Sequence, residues 1–328
     1  MKFAVYSDIH HAEETLEDSL NIEKAITDFC IDNNIKLVLF LGDRFKLRNV
    51  QGWVRDAVDK VWVDRLNKGI DMFCLVGQHD QYDKVGSHNS LEEFKVFDSR
   101  LIIVNEKKIY KLKGGIEVLG LPRGQEGSLC EEDFNGFSSE AELKLFCYHG
   151  FVNGVRLNDK IIAQGIDLKV ENKVDYALFG DVHFSQIVKV GFAKRAFYVG
   201  NCRWQDKSDA NLDKGFWYFD GKDFELQVIS NLVPKIWEGT KDLLERVEIK
   251  SSDIVYLHLK EDEDINAFKK KCKKVYPLYD NEILLKNKKV RDFSYSGNIE
   301  SNIAEYIDKV VEKDLREEVL LECKKFLI

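Results

Sequence analysis

The stretch from Lys36 to Asp43, KLVLFLGD, places five consecutive apolar residues before a glycine and an aspartate. A continuous apolar run of this kind is typical of a strand buried in a sheet that is covered on both faces. Gly42 lets the backbone turn sharply where the strand ends, so that Asp43 can approach a ligand closely. The stretch therefore predicts an α/β fold with a polar site at the carboxyl end of a buried strand.

Four further motifs place polar residues where a predicted strand ends. The predicted strands cover residues 2–7, 70–76, 143–148 and 176–179. They lead into the motifs Asp8-Ile9-His10, Gly77-Gln78-His79-Asp80, His149-Gly150 and Gly180-Asp181-Val182-His183. Any one of these alone is more often an ordinary turn or a core histidine. Ligands of open α/β folds bind in the crevice at the carboxyl ends of strands, so the five motifs together predict one convergent site.

The donor atoms of these motifs favour a metal site. Carboxylate, amide and imidazole groups suit Mn²⁺, Mg²⁺ or Fe rather than a metal that prefers thiolates. Two ions about 3.5–4 Å apart can polarise a phosphoryl group and stabilise both the attacking and the leaving oxygen. Asp43 is the natural bridge between two such ions. The residues therefore indicate a two-metal phosphoesterase site.

The bulk composition sets limits on other functions. The chain has 328 residues, 44% of them hydrophobic, and a formal net charge of −8. Its length favours two domains, and its charge gives no sign of general affinity for a polyanion. The sequence contains no apolar run long enough for a membrane span, and Asp8 interrupts the amino terminus before a signal-peptide core could form. We therefore expect a cytoplasmic protein without a membrane partner.

The domain organisation is predicted from shifts in pattern. Residues 1–230 are expected to form the first domain. Helical and strand patterns alternate in its early part, and its later part is richer in strands. The composition changes near residues 232–234, and residues 231–297 are expected to form a small α+β capping domain. Residues 298–328 consist almost entirely of helix formers with a wide apolar stripe, which predicts a helical tail. Such a tail can pack on its own domain or dock a partner.

The five motifs resemble the pattern of the calcineurin-like metallophosphoesterase superfamily: D-x-H, G-D, G-N-H-D/E, H and G-H-x-H. Within it the chain is most similar to the SbcD family, the nuclease subunit of double-strand-break repair complexes, including its bacteriophage members. The stretches Tyr198-Val199-Gly200-Asn201 and Lys214-Gly215-Phe216-Trp217 resemble further motifs of that family. The resemblance in motifs covers residues 1–220. It implies a four-layer α/β/β/α sandwich, followed by the cap and the tail.

The resemblance also implies a role for each motif residue. The first ion would be held by Asp8, His10, Asp43 and His183. The second ion would be held by Asp43, Gln78, His149 and Asp181. His79 would lie beside the scissile phosphate and protonate the leaving oxygen or stabilise charge there, and Asp80 would orient the His79 ring.

Three positions depart from the family pattern. Gln78 stands in place of asparagine, Asp181 in place of the first histidine of G-H-x-H, and Lys46 in place of the second acid of G-D-x-x-D. The last is not a direct ligand in the nuclease branch. Gln78 and Asp181 belong to the second metal position. At Asp181 an anionic oxygen stands in place of the neutral nitrogen of histidine. This harder, more negative site is expected to favour Mn²⁺, with Mg²⁺ as the alternative.

The function implied by the resemblance is that of a metal-dependent DNA exonuclease and endonuclease, in which a hydroxide activated by the two ions attacks phosphorus. The implied partners are DNA, an SbcC-type coiled-coil ATPase and a second copy of the chain. If the chain is phage-encoded, its location would be the host cytoplasm. Two alternatives stay open. One is a phosphoesterase for cyclic nucleotides, phosphoproteins or small esters; the other is an inactive scaffold that binds DNA ends, suggested by the changes at Gln78 and Asp181.

Overall fold

The computed structural model describes residues 1–83, 88–157, 160–161, 165–167, 173–229, 231–259 and 265–279. The predicted helical tail, residues 298–328, lies outside the described residues, as does the last part of the predicted cap. The chain divides into two compact units. The first comprises residues 1–238 and 250–254, and the second comprises residues 239–249 and 255–328.

The described residues form mainly β-strands with four α-helices. In chain order the strands are β1 (Phe3–Tyr6), β2 (Leu37–Phe40), β3 (Asp71–Leu75), β4 (Leu101–Val104), β5 (Lys108–Leu112), β6 (Ile116–Leu121), β7 (Leu143–His149), β8 (Arg156–Leu157), β9 (Lys160–Ile161), β10 (Val174–Gly180), β11 (Gln186–Val188), β12 (Ala193–Tyr198), β13 (Gly215–Phe219), β14 (Phe224–Val228), β15 (Ile236–Thr240), β16 (Ile254–Leu259) and β17 (Lys274–Tyr279). The helices are α1 (Leu16–Asp32), α2 (Gly52–Asn67), α3 (Lys241–Leu244) and α4 (Asn266–Lys269).

Two six-stranded sheets form the first unit. One has the order β14-β13-β1-β2-β3-β4, and the other has the order β11-β12-β10-β7-β6-β5. Strands β1 to β4 run parallel to one another, as do β6, β7, β10 and β12. Parallel neighbours end at the same edge of a sheet, so each sheet collects its strand-end motifs at one edge.

The core between the sheets is apolar. It contains Val5, Leu39 and Phe73 from the first sheet, and Val118 and Leu145 from the second. Along each strand the core takes every second residue, such as Phe3 and Val5 of β1, because successive side chains point to opposite faces. The sequence-predicted sandwich of two sheets within an α/β fold is confirmed.

Helices α1 and α2 cover the outer face of the first sheet. Helix α1 buries one side at three- and four-residue spacing, including Ile22, Ile26 and Cys30. Beneath the helices, Glu23 accepts hydrogen bonds from Trp62 Nε1 at 3.0 Å and from Arg65 Nη2 at 2.6 Å. These buried polar groups are therefore paired rather than isolated.

The outer face of the second sheet packs against short segments. Phe134, from a 3₁₀ turn at Glu131–Gly136, lies against Phe146 and Phe192. A further 3₁₀ helix, Glu92–Arg100, leads directly into β4.

The strands β15, β16 and β17 form a separate three-stranded sheet in that order. In its central strand, β16, the alternate residues Val255, Leu257 and Leu259 are buried along one face. No helix among the described residues has the length and apolar composition needed to cross a bilayer.

Candidate metal centre

Four of the sequence-predicted ligands have an unusual backbone conformation. The φ angles are +53° at Asp8, +48° at His10, +59° at Asp43 and +82° at Asp181. Positive φ is uncommon for residues other than glycine, and such strain is concentrated at functional sites. Each of these residues follows the end of β1, β2 or β10. The strand ends therefore turn their polar side chains towards one place.

Two glycines allow the sheets to approach each other at this place. A Cβ atom at Gly42 would lie 2.5 Å from Nδ1 of His149, and one at Gly180 would lie 2.6 Å from the same atom. His149 and Gly180 are also register partners in the β7–β10 ladder. Glycine at both positions therefore leaves room for the His149 ring between the two sheets.

The first candidate metal position is formed by Asp8, His10 and His183, whose ligand atoms all lie within 4.8 Å of one another. His10 Nε2 is 3.7 Å from Oδ1 of Asp8 and 3.7 Å from Oδ2 of Asp43. Burial lowers the pKa of His10 to about 3, so its imidazole is neutral at neutral pH. A neutral imidazole beside two carboxylates is the form that binds a divalent cation.

A second group with ligand atoms within 4.8 Å of one another is Asp8, Asp43 and His149, which shares Asp8 with the first group. His149 Nδ1 donates to the carbonyl oxygen of Leu41 at 2.6 Å, and its Nε2 faces Oδ1 of Asp43 at 3.4 Å. His149 Nε2 and Asp8 Oδ1 are buried and have no hydrogen-bond partner in the described part of the chain. Buried polar atoms normally have one, so these donor atoms fit a bound cation.

The carboxylates dominate the electrostatics of the site. Burial by itself lowers the pKa of His149, but Asp43, with Asp8 and Asp181, raises it well above its usual range. Burial, partly offset by His149 and reinforced by Asp43, raises the pKa of Asp8 to about 6. The same concentration of carboxylates attracts cations.

Gln78 and His79 lie in the turn after β3. Gln78 is half-buried, and a Cβ atom at the preceding Gly77 would lie 2.3 Å from Asp43 Oδ1. The backbone N–H of His79 donates to that same oxygen at 2.8 Å. The His79 ring packs edge-on against His10 at 5.0 Å, and its side chain is 35% exposed. His79 thus stands at the open side of the centre, where a substrate can reach it.

Asp80 is buried and binds the backbone around it. Its carboxylate accepts hydrogen bonds from the N–H groups of Gly77 at 3.0 Å, Asp43 at 2.8 Å and Arg44 at 3.0 Å. It also accepts one from the hydroxyl of Ser90 at 3.1 Å. A carboxylate has about four acceptor positions, and these bonds occupy them. These bonds fix the loop that carries Asp43, and the role of Asp80 in orienting the His79 ring stays a prediction.

His183 has supporting residues that the sequence analysis missed. Its Nδ1 lies 3.9 Å from Oδ2 of the buried Asp209, and its carbonyl oxygen accepts a bond of 2.8 Å from Lys214 Nζ. Lys214 Nζ in turn lies 2.6 Å from Asp209 Oδ1. Lys214 was noted only as part of a family motif, and nothing in the sequence marks Asp209, because its position follows from a loop between β12 and β13.

The loop after β1 is held by two side chains that sequence reasoning also missed. Arg203 donates to the carbonyl oxygens of Ile9 at 3.2 Å and of His10 at 3.0 Å. Gln205 Nε2 donates to that of Asp8 at 2.8 Å. These bonds satisfy the backbone of the strained segment. Lys46, in contrast, is exposed and paired with Glu14 at 2.6 Å, so it does not contribute a ligand.

The family model for calcineurin-like phosphoesterases matches residues 1–185. The chain belongs to that family. Metallophosphoesterases of this kind hydrolyse phosphoesters with divalent metal ions, and this chain brings the corresponding donor groups together. The assignment of the individual ligands remains a prediction.

Solved structures with a similar fold share little sequence with this metallophosphoesterase. A protein from Thermus thermophilus is 11% identical, with 69% of this chain and 98% of that chain covered and a TM-score of 0.42. A dimetal phosphatase from Danio rerio is 10% identical, with 66% and 91% covered and a TM-score of 0.44. Yfce, a phosphoesterase from E. coli, is 15% identical, with 71% and 95% covered and a TM-score of 0.36. No curated protein sequence matches the chain.

Proposed function

We propose that this metallophosphoesterase is a DNA nuclease that works as both exonuclease and endonuclease. The observation that carries the chemistry is the convergence of Asp8, His10, Asp43 and His149 on one buried, negatively charged centre. The choice of DNA rests on the similarity of residues 198–201 and 214–217 to motifs of the SbcD family. One of these residues, Lys214, contacts both His183 and Asp209, which supports a role for that stretch in the site.

Two divalent ions, Mn²⁺ by preference or Mg²⁺, would polarise the phosphoryl group and lower the pKa of the attacking water. Asp8, His10, Asp43 and His183 would hold the first ion. Gln78, His149 and Asp181 would complete the second, with Asp43 between them. His79, at the open side of the centre, would donate a proton or a hydrogen bond to the leaving oxygen. Asp80 would keep Asp43 in place through its backbone bonds.

The proposed partners follow from the same resemblance. We propose that the enzyme acts with an SbcC-type coiled-coil ATPase in DNA repair, recombination or replication, and that two copies associate. Trp53 on helix α2 is 50% exposed, whereas Trp62 on the same helix is fully buried. The exposed tryptophan supports α2 as a contact surface, because large exposed aromatic residues are enriched at interfaces.

The test is cleavage of end-labelled linear duplex and single-stranded DNA with Mn²⁺. Wild-type protein should shorten both substrates, and His79→Ala should lose cleavage while still binding Mn²⁺. A parallel assay with a nitrophenyl phosphodiester separates the alternatives. Hydrolysis of that ester without cleavage of DNA would indicate a different phosphoesterase, and ion binding without hydrolysis of either would indicate a scaffold.

A further inference from the structure

The carboxylate of Asp181 lies between a candidate metal ligand and a cation. Its Oδ1 is 4.0 Å from His149 Nε2, and its Oδ2 is 3.8 Å from Nη1 of Arg123. The side chain of Asp181 is only 9% exposed. One oxygen thus faces the metal centre and the other faces a guanidinium.

Arg123 is not needed to hold Asp181 in place. The backbone N–H of Asp181 donates to Asp8 Oδ2 at 3.0 Å, and the preceding Gly180 is in register with His149. The separation of 3.8 Å between Arg123 and Asp181 is too long for a hydrogen bond. The interaction is therefore one of charge, which acts over this distance without fixing a geometry.

The guanidinium is itself held at the edge of the centre. The backbone N–H of Arg123 donates to the carbonyl oxygen of Val76 at 3.3 Å. The side-chain Nη1 of Arg123 lies 3.4 Å from Glu126 Oε1. A Cβ atom at Gly150 would come within 2.6 Å of that nitrogen. That Cβ atom would lie closer still to the phenol of Tyr148, so glycine after His149 leaves room for both side chains.

The remaining face of Arg123 opens into a cavity. The cavity has a volume of about 620 Å³, and its lining includes Arg123, Glu126, Tyr148, Phe151 and Asp167. Among the described residues that line it, Arg123 is the cationic one. The Arg123 side chain is 30% exposed. Its planar donors can therefore meet an anionic group that enters beside the centre.

We propose that Arg123 and Asp181 form a charge couple that makes the second metal position accept a phosphate group. The carboxylate gives this position an extra negative charge, which strengthens cation binding but repels an anionic ester. The guanidinium offsets that charge and donates to a non-bridging phosphate oxygen. This role rests on a phosphate ester being the substrate, and not on that ester being DNA.

The experiment measures binding rather than turnover. Mn²⁺ is titrated by calorimetry into metal-free protein, and inorganic phosphate is then titrated into the Mn²⁺-loaded protein. In Arg123→Gln the dissociation constant for Mn²⁺ should fall about fivefold, because a neighbouring positive charge is gone. The dissociation constant for phosphate should rise about tenfold or more, because a charge-assisted hydrogen bond is lost.

Two variants serve as controls. Arg123→Lys keeps the positive charge but loses the planar pair of guanidinium N–H donors. Mn²⁺ binding should therefore match wild type, while phosphate binding is only partly restored. Arg195→Gln removes an equally half-exposed arginine near the start of β12, where it pairs with Asp223, and should change neither constant. Weaker or unchanged Mn²⁺ binding in Arg123→Gln, or unchanged phosphate binding, would contradict the proposed role of Arg123 and Asp181. Absence of DNA cleavage would contradict only the proposed nuclease.

Discussion

The carboxylate of Asp80 accepts a hydrogen bond of 2.8 Å from the backbone N–H of Asp43. The two residues lie in the turns that follow the neighbouring parallel strands β2 and β3, and the bond ties those turns together. Asp43 is the residue expected to bridge the two ions, so the geometry of the centre depends on a side chain that does not face it. Metal ligands commonly depend on such supporting bonds.

Asp80→Asn should destabilise the protein and weaken metal binding. The amide retains one acceptor oxygen and places a donor against buried N–H groups. We expect a loss of about 2–4 kcal/mol in the free energy of unfolding, measured by urea denaturation. Ser90→Ala removes only one of the four bonds to Asp80 and should cost about 1 kcal/mol. Equal losses for the two variants would show that the backbone bonds contribute little.

His149→Ala should reduce the number of tightly bound ions from two to one, because His149 belongs to the second position only. The measurement is metal analysis of protein that has been stripped with a chelator, reloaded with Mn²⁺ and desalted. His88→Ala is the matched control, since the side chain of His88 is 72% exposed and lies beside Glu92. It should retain both ions. Two ions in His149→Ala would remove this residue from the ligand set.

Mn²⁺ should raise the melting temperature of chelator-treated protein. Asp8 Oδ1 and His149 Nε2 are buried polar atoms that a cation can satisfy. At a free concentration one hundred times the dissociation constant, a ligand that binds only the folded state stabilises it by about 2.7 kcal/mol. Thermal unfolding at increasing Mn²⁺ checks this. A melting temperature that does not change with Mn²⁺ would contradict binding at the buried centre.

Glu23→Gln should destabilise the protein in a pH-dependent manner. Burial by itself raises the pKa of Glu23, but Arg65 and hydrogen bonds from His11 and Trp62 outweigh it and hold the pKa at about 2. Because this value lies below that of the unfolded chain, the carboxylate stabilises the fold above about pH 4.5, and this contribution is lost as the pH falls towards 2. Removing it leaves Arg65 buried without a carboxylate partner, at a cost of about 3–5 kcal/mol at neutral pH.

The check is the difference in unfolding free energy between wild type and Glu23→Gln, measured by urea denaturation from pH 7 down to the lowest pH at which both variants fold. The difference should be largest near neutral pH and shrink below about pH 4.5. Glu14→Gln is a suitable comparison, because Glu14 is exposed and paired with Lys46 at the surface. Its effect should stay below about 1 kcal/mol throughout. A constant difference for Glu23→Gln would show that its charge is not what stabilises the fold.

The sequence by itself determined the ligand types and the places where they occur. Short buried strands are visible as apolar runs such as residues 36–41, and a polar residue after such a run falls at the carboxyl edge of a parallel sheet. The prediction that Asp43 and His149 converge needed no more than this. Strands such as β5 and β14, each with one buried and two exposed residues among five, were not predicted, because their apolar pattern is weak.

Only the tertiary structure decided which residues support the centre. Asp80 and Asp43 are 37 positions apart in the chain, and Arg203 is 193 positions from His10. Such contacts depend on loop paths and side-chain directions, which local patterns do not specify. The pairing of Arg123 with Asp181 is of the same kind, since it joins the loop after β6 to the end of β10. Local periodicity fixes where a strand ends, but the packing of the two sheets fixes what each side chain meets there.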